Sequence, residues 1–129
     1  MVEELTAGER SGEAVPGIAG VASVTVDCAD PSRVASWWHR LLGGRCLIDE
    51  DGNVRLDTEG ATIYFERVPE PKVVKNRVHL DLRSTDLELA AAQAVALGAT
   101  PALDIYDGDA WQVMRDPEGN EFCILRPGA

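Results

Sequence analysis

Three polar side chains that could do chemistry, His79, Asp81 and Arg83, alternate with apolar residues in the segment NRVHLDLRSTD (76–86). Alternation with a period of two places them on one face of a β-strand. An imidazole beside a carboxylate can bind a metal ion, or donate and accept protons at neutral pH. His79 is therefore a candidate metal ligand, acid/base group or ligand contact. The competing interpretation is a histidine that only forms a hydrogen bond across the sheet.

Cys123 is the second candidate, because a thiol near a base can act as a nucleophile. His79 is the one base that we consider for this role, and nothing in the sequence pairs the two residues, so an unreactive thiol is the preferred interpretation. The chain has three widely spaced cysteines and lacks a CxxC motif. This pattern argues against a disulfide framework and a zinc finger, and favours a reducing compartment, the cytoplasm.

The overall composition restricts the class of partner. The 129 residues carry a net charge of −10, which lacks the basic footprint of a nucleic-acid-binding protein. The sequence also lacks an apolar run long enough to cross a membrane. Residues 1–18 show neither periodicity nor a signal-peptide pattern, and we expect a flexible tail there. We therefore expect a cytoplasmic protein with no nucleic-acid or membrane partner.

The rest of the chain reads as the same series of elements twice. A strand, then a helix that begins after Asp30 and ends at Gly43, is followed by three strand-like runs. A second strand, then a helix that begins after Asp86 and ends at Gly98, is again followed by three runs, the first of them TPALDIY (100–106). The repeat predicts one α+β domain over 19–128: βαβββ module one (20–68), a linker (69–77) and βαβββ module two (78–127).

The repeat also predicts where a site would lie. Each four-stranded sheet buries one face under its helix, so the two remaining faces would form a curved eight-stranded trough. Among the tryptophans, we expect Trp38 in the core and Trp37 at a helix edge or subunit contact. Trp111 is either a stacking platform for a flat ligand or a core residue. Polar residues that alternate along the first and last strand of each module should line the trough: Ser23, Thr25, Asp27, Thr62, Tyr64, Glu66, His79, Asp81, Arg83, Glu121 and Cys123.

The duplicated plan, the NRVHLDL strand and the DPEGNEFC turn resemble the vicinal oxygen chelate superfamily over residues 20–127. That superfamily includes glyoxalase I, fosfomycin and bleomycin resistance proteins and extradiol dioxygenases. The resemblance implies four metal ligands, one from the first and last strand of each module. The corresponding positions here are Ser23, Tyr64 (with Glu66 two residues on), His79 and Cys123, and only His79 is a usual ligand.

We therefore predict a homodimeric glyoxalase-like protein that binds a small organic molecule in its trough without a complete metal site. Glyoxalase I activity itself is not expected. The alternative is a metal-dependent lyase, isomerase or dioxygenase that uses His79 as a ligand of a divalent metal. A third possibility is a trough filled by the protein's own side chains or its tail. The predicted ligand-binding residues are Ser23, Tyr64, Glu66, His79, Asp81, Trp111 and Cys123.

Overall fold

The computed structural model describes residues 4–17 and 19–129, and within them it contains two helices and eight strands. The expectations for residues 1–3 and 18 lie outside the described residues. The elements run in the order β1 (Val24–Cys28), α1 (Pro31–Leu42), β2 (Arg45–Ile48), β3 (Val54–Thr58), β4 (Ala61–Arg67), β5 (Leu80–Leu82), α2 (Leu87–Leu97), β6 (Thr100–Pro101), β7 (Trp111–Arg115) and β8 (Glu121–Leu125).

Both helices begin and end where their capping residues predict. The Asp30 side chain accepts a hydrogen bond from the Arg33 backbone N–H, and the Asp86 side chain accepts one from that of Leu89. These carboxylates satisfy N–H groups that the first helical turn leaves without a partner. Gly43 ends α1 and Gly98 ends α2, each with a positive φ that favours glycine.

The two modules have the same sheet topology, which confirms the predicted α+β repeat. Module one forms a four-stranded sheet in the order β1-β4-β3-β2, and module two forms one in the order β5-β8-β7-β6. In each sheet the first strand of the module pairs in parallel with the last, and the other pairs are antiparallel. The first and last strands of each module are thus neighbours. Their side chains on the sheet face away from the helix therefore lie side by side.

Helix α1 packs against both modules through two adjacent tryptophans. Trp38 is buried as expected, and its indole N–H donates to the Asp116 carboxylate over 2.9 Å. Trp37 was expected at a helix edge or subunit contact, and that prediction was wrong. It is 6% exposed, its ring contacts that of Phe122, and its N–H donates to the Leu97 carbonyl. Both indoles reach module two, because both rings pack against that of Phe122 on β8.

One predicted strand is much shorter than its sequence suggests. The run 100–106 forms a strand only at Thr100–Pro101. After Pro101 the chain turns, and the backbone N–H groups of Ile105 and Tyr106 both bond to the Ala102 carbonyl. Those N–H groups are then not available to a strand ladder, so residues 102–110 form a loop, called the β6–β7 loop below.

Strand β5 also begins later than expected. Val78 was predicted to share a buried face with Leu80 and Leu82, but it is 74% exposed and precedes the strand. The predicted alternation of more buried and more exposed side chains over 78–83 is therefore found only within β5.

Residues 4–17 are exposed and contain neither helix nor strand, and their flexibility stays a prediction. Among the described residues, no helix has the length and hydropathy that a membrane-spanning segment requires.

Candidate functional site

A cavity of about 420 Å³ opens on the face of the module-two sheet that is turned away from α2. We call it the module-two cavity. Its walls come from β5, β7, β8, the linker and the β6–β7 loop. They consist of Lys75, His79, Asp81, Ile105, Tyr106, Trp111, Val113, Glu121, Cys123 and Leu125.

One wall of this cavity is aromatic. The rings of Tyr106 and Trp111 stack with a centroid separation of 4.1 Å and an interplanar angle of 11°. The Tyr106 hydroxyl accepts a hydrogen bond from the Ala110 N–H, and it lies so close to Gly108 that a Cβ there would come within 2.3 Å of it. Because glycine has no Cβ, the Tyr106 ring can lie against Gly108 without a steric clash. Trp111 is 40% exposed, so the structure places it at the cavity and not in the core.

The loop that carries this wall is fastened at both ends. Arg115 on β7 forms two hydrogen bonds of 2.8 Å with the Asp104 carboxylate. Arg126, just after β8, donates to the Asp109 carbonyl over 2.7 Å. The paired hydrogen bonds of a guanidinium with a carboxylate fix orientation as well as distance. Ile105 and Tyr106 are thus held between two anchors.

The other side of the cavity is polar, and it brings together three of the predicted site residues. His79 Nε2 lies 3.3 Å from Asp81 Oδ1, and register pairs Asp81 with Cys123 on the neighbouring strand. Burial raises the pKa of the Cys123 thiol, and the adjacent Asp81 carboxylate raises it further. A thiol in such surroundings is protonated at neutral pH, which disfavours it as a nucleophile.

A buried carboxylate, Glu121, lies where the linker meets β8. The residue is 6% exposed, and its carboxylate accepts hydrogen bonds from the Asn76 N–H, over 2.9 Å, and from the Lys72 ammonium. Arg115 Nε is 3.8 Å away. Burial raises the pKa of Glu121, but the Asn76 N–H and Lys72 outweigh it, so the pKa lies below its ordinary value. Glu121 is therefore ionised and connects the linker to the strands that support the cavity.

The remaining predicted residues, Ser23, Tyr64 and Glu66, lie in module one and do not line this cavity. Tyr64 and Glu66 are exposed on β4. On the same sheet, Asp57 accepts hydrogen bonds from Arg55 and Thr62, and these contacts, the Arg55 bond foremost, lower the pKa of its carboxyl. Arg55, Asp57 and Thr62 of this face therefore bond to one another.

A smaller cavity of about 260 Å³ lies where β1 approaches β5, and residues of both modules line it. Thr25 and Asp27 contribute from module one, and His79 and Glu121 contribute from module two. His79 and Glu121 also line the module-two cavity, so the two cavities share a wall. Ser23, Tyr64 and Glu66 do not line this second cavity either.

Several residues of the module-two cavity were not predicted, notably Tyr106, Ile105 and Lys75. Tyr106 and Ile105 lie in the run interpreted as a strand, which gave no reason to place them in a wall. Aspartates and a glycine surround Tyr106 in the segment DIYDGD, and this loop-like composition was the available signal.

With this geometry established, comparisons with known proteins identify the family. Residues 23–125 match the family model described as a glyoxalase-like domain. The chain belongs to the glyoxalase-like domain family. The match spans both modules of the domain, and a comparison with curated proteins gave no significant match.

Solved structures show the same fold as this glyoxalase-like domain. A glyoxalase/bleomycin resistance protein/dioxygenase family enzyme from Burkholderia phytofirmans has a TM-score of 0.69 at 20% identity, covering 84% of this chain and 98% of that one. A superfamily member from Sphaerobacter thermophilus has a TM-score of 0.65 at 17% identity, with coverages of 84% and 98%. A mutant of the fosfomycin resistance protein FosX from Listeria monocytogenes, complexed with Mn(II) and 1S,2S-dihydroxypropylphosphonic acid, has a TM-score of 0.69 at 10% identity, with coverages of 84% and 90%.

The presence of Mn(II) in FosX raises the question of whether this glyoxalase-like domain could hold such an ion at the four family positions. Mn²⁺ prefers carboxylates, imidazoles and water. Ser23 and Tyr64 are neutral, and neither of them lines a cavity with His79. Cys123 offers a soft sulfur. The residues at these four positions therefore do not fit Mn²⁺.

Proposed function

We propose that this protein binds a small, flat and largely apolar organic molecule in the module-two cavity. The observation that carries the proposal is the Tyr106–Trp111 stack, whose tryptophan remains 40% exposed beside the apolar residues Val113 and Leu125. Apolar walls with a few polar groups at one end are typical of small-molecule sites. An aromatic ring adds a stacking contact for a flat ligand.

The polar end would orient that molecule. Asp81 is half exposed and has acceptor capacity beyond its contact with His79, while His79 can donate or accept. A ligand with a hydrogen-bonding group at one end of a flat ring system would satisfy both parts of the cavity. Lys75 is the one lysine or arginine of the lining, so a phosphonate like the FosX ligand is a poorer match.

The test is binding of the uncharged dye Nile red, whose fluorescence increases in apolar surroundings. We expect saturable binding that Trp111→Ala weakens roughly tenfold, because the stacking and apolar contacts of the indole are lost. Leu89→Ala removes an exposed apolar side chain from α2, outside the cavity, and should leave binding unchanged. Equal affinity in wild type and Trp111→Ala would refute the site.

The same assay tests the predicted residues of module one. If the ligand occupies only the module-two cavity, Tyr64→Ala will bind the dye as wild type does. A loss in both Tyr64→Ala and Trp111→Ala would instead support a trough shared by both sheets, within one chain or between two.

We further propose a homodimer in the cytoplasm. Three free cysteines agree with a reducing compartment, and the exposed β4 face around Tyr64 offers a surface for a second copy. If the full chain sediments with the mass of a monomer, the proposed homodimer is wrong. Oxidised cysteines in protein isolated from its cell would argue against the compartment.

The competing function is a metal-dependent lyase, isomerase or dioxygenase that uses His79. One observation favours it: His79, Asp81 and Cys123 form a group of metal-ligand type. Dye binding that persists after chelator treatment would support the metal-independent function, whereas binding that disappears with the metal would support the competing one.

A further inference from the structure

Three side chains capable of binding a metal ion converge at the polar end of the module-two cavity. One ligand atom from each of His79, Asp81 and Cys123 can be chosen so that all three lie within 4.8 Å of one another. Asp81 lies on β5 directly opposite Cys123 on β8, and His79 lies immediately before β5, two residues from Asp81. The group is thus built by two adjacent strands of one sheet and the residue that leads into the first of them.

This group shares His79 and Cys123 with the four family positions but differs from them in its third member. Asp81 is not one of those positions, and Ser23 and Tyr64 take no part in the group. An imidazole, a carboxylate and a thiolate form a mixed donor set in which sulfur favours Zn²⁺ over Mn²⁺. With Cys123 ionised, the set carries two negative charges, which exceed the single charge of the neighbouring Lys75.

We infer that His79, Asp81 and Cys123 form a three-ligand site for Zn²⁺ whose fourth position opens into the module-two cavity. Zinc with three protein ligands and one open position is a common arrangement for exchangeable or catalytic sites. From zinc–ligand bond lengths of 2.0–2.3 Å, ligands around a tetrahedral zinc lie about 3.5 Å apart. The chosen atoms lie within 4.8 Å of one another, so the side chains would move closer together when zinc binds.

The inference is independent of the ligand-binding proposal, since it concerns the metal alone. The experiment titrates Co²⁺ into chelator-treated full-length protein, because Co²⁺ reports zinc sites spectroscopically. We expect visible absorption of tetrahedral Co²⁺ and a thiolate-to-cobalt charge-transfer band in the near ultraviolet. One equivalent of Zn²⁺ should abolish both, and the same concentration of Mn²⁺ should abolish neither.

Variants assign the ligands. Cys123→Ser should lose the charge-transfer band, while Cys46→Ser, which removes a thiol from module one, should keep it. His79→Ala and Asp81→Asn should each weaken Co²⁺ binding by at least about tenfold. Circular dichroism of each variant verifies that it is folded.

Absence of the charge-transfer band in the folded wild-type protein would overturn the inference, as would an unchanged band in Cys123→Ser or equal displacement by Mn²⁺. A measurement on the wild-type protein tests the inference even if a variant fails to fold. Zn²⁺ should slow the alkylation of Cys123 and leave the alkylation of Cys46 unchanged. Equal alkylation of Cys123 with and without Zn²⁺ would overturn the inference too. Nile red binding, measured on the same chelator-treated sample, reports separately on the proposed function.

Discussion

Asp81 lies beside both of the other polar side chains of the module-two cavity that could do chemistry. Its carboxylate contacts His79 and is directly opposite Cys123. Burial raises the pKa of the Cys123 thiol and Asp81 raises it further, and because a thiolate and not a thiol is the nucleophile, both effects keep Cys123 unreactive at neutral pH. This environment is consistent with a binding contact and disfavours a covalent reaction at sulfur.

Removal of the Asp81 charge should therefore make Cys123 more reactive. In chelator-treated protein at pH 7.5, we expect Asp81→Asn to increase the rate of iodoacetamide alkylation at Cys123, because the thiol pKa falls toward its ordinary value. In wild type the rate should rise with pH well beyond pH 8. Peptide mass spectrometry resolves the modified cysteine and gives its rate.

Cys46 provides the internal control in the same experiment, since burial alone raises the pKa of its thiol. Its alkylation rate should be identical in wild type and Asp81→Asn. A Cys123 rate that is unchanged or lower in Asp81→Asn would show that the carboxylate does not govern the thiol.

Sequence alone could predict some of these residues and not others. Alternation along the predicted strand put His79 and Asp81 on one face, and the repeat put Cys123 on the last strand of module two; the structure shows all three at the module-two cavity. Tyr106 could not be predicted, because its position depends on how the β6–β7 loop folds back toward Trp111. Such a non-local contact leaves no periodic signal in a sequence.

At the scale of elements, Glu121 connects the linker to the module-two sheet. Lys72 and Asn76 of the linker both bond to its carboxylate, and Arg115 lies beside it while holding the β6–β7 loop through Asp104. The linker and the loop together supply Lys75, Ile105 and Tyr106 to the cavity. Glu121 therefore stabilises the cavity through both segments that border it.

This role has a pH dependence. The folded-state pKa of Glu121 lies below the ordinary value of 4.5, so its ionisation stabilises the fold above that pH, and the stabilisation is lost as pH falls through the folded pKa. We expect Glu121→Gln to lower the free energy of unfolding by about 2 kcal/mol at pH 7. The difference from wild type should shrink below pH 4.5. Urea denaturation at a series of pH values measures it.

Glu59→Gln is the matched control, because Glu59 is exposed in the turn before β4. It should unfold with wild-type stability at each pH. A difference between Glu121→Gln and wild type that grows as the solution is acidified would contradict the assigned role of Glu121.

The helices were the most predictable elements, since capping residues define their ends locally. Asp30 and Gly43 for α1, and Asp86 and Gly98 for α2, mark them in the sequence. Strand β6 was the least predictable. Residues 100–106 contain the apolar and aromatic types that strands favour, but bonds to the Ala102 carbonyl turn the chain after two residues.

For the whole molecule, the repeat in the sequence was sufficient to predict the family fold, and the fold was not sufficient to assign the site. The trough was expected to draw on both modules equally. Instead, the cavity with the aromatic wall lies on module two, while the open face of module one carries an internally paired cluster around Asp57. The two modules thus share a topology but differ in the side chains of their open faces.

The three indole N–H signals of the ¹H–¹⁵N spectrum test whether a flat apolar ligand binds against Trp111. Trp37 and Trp38 donate their indole N–H groups to Leu97 and Asp116 inside the protein, so they serve as internal controls. Titration with naphthol should shift the Trp111 signal saturably and leave the other two in place. If naphthol binds saturably but leaves the Trp111 signal unmoved, or if no signal changes saturably, then the ligand does not bind against Trp111.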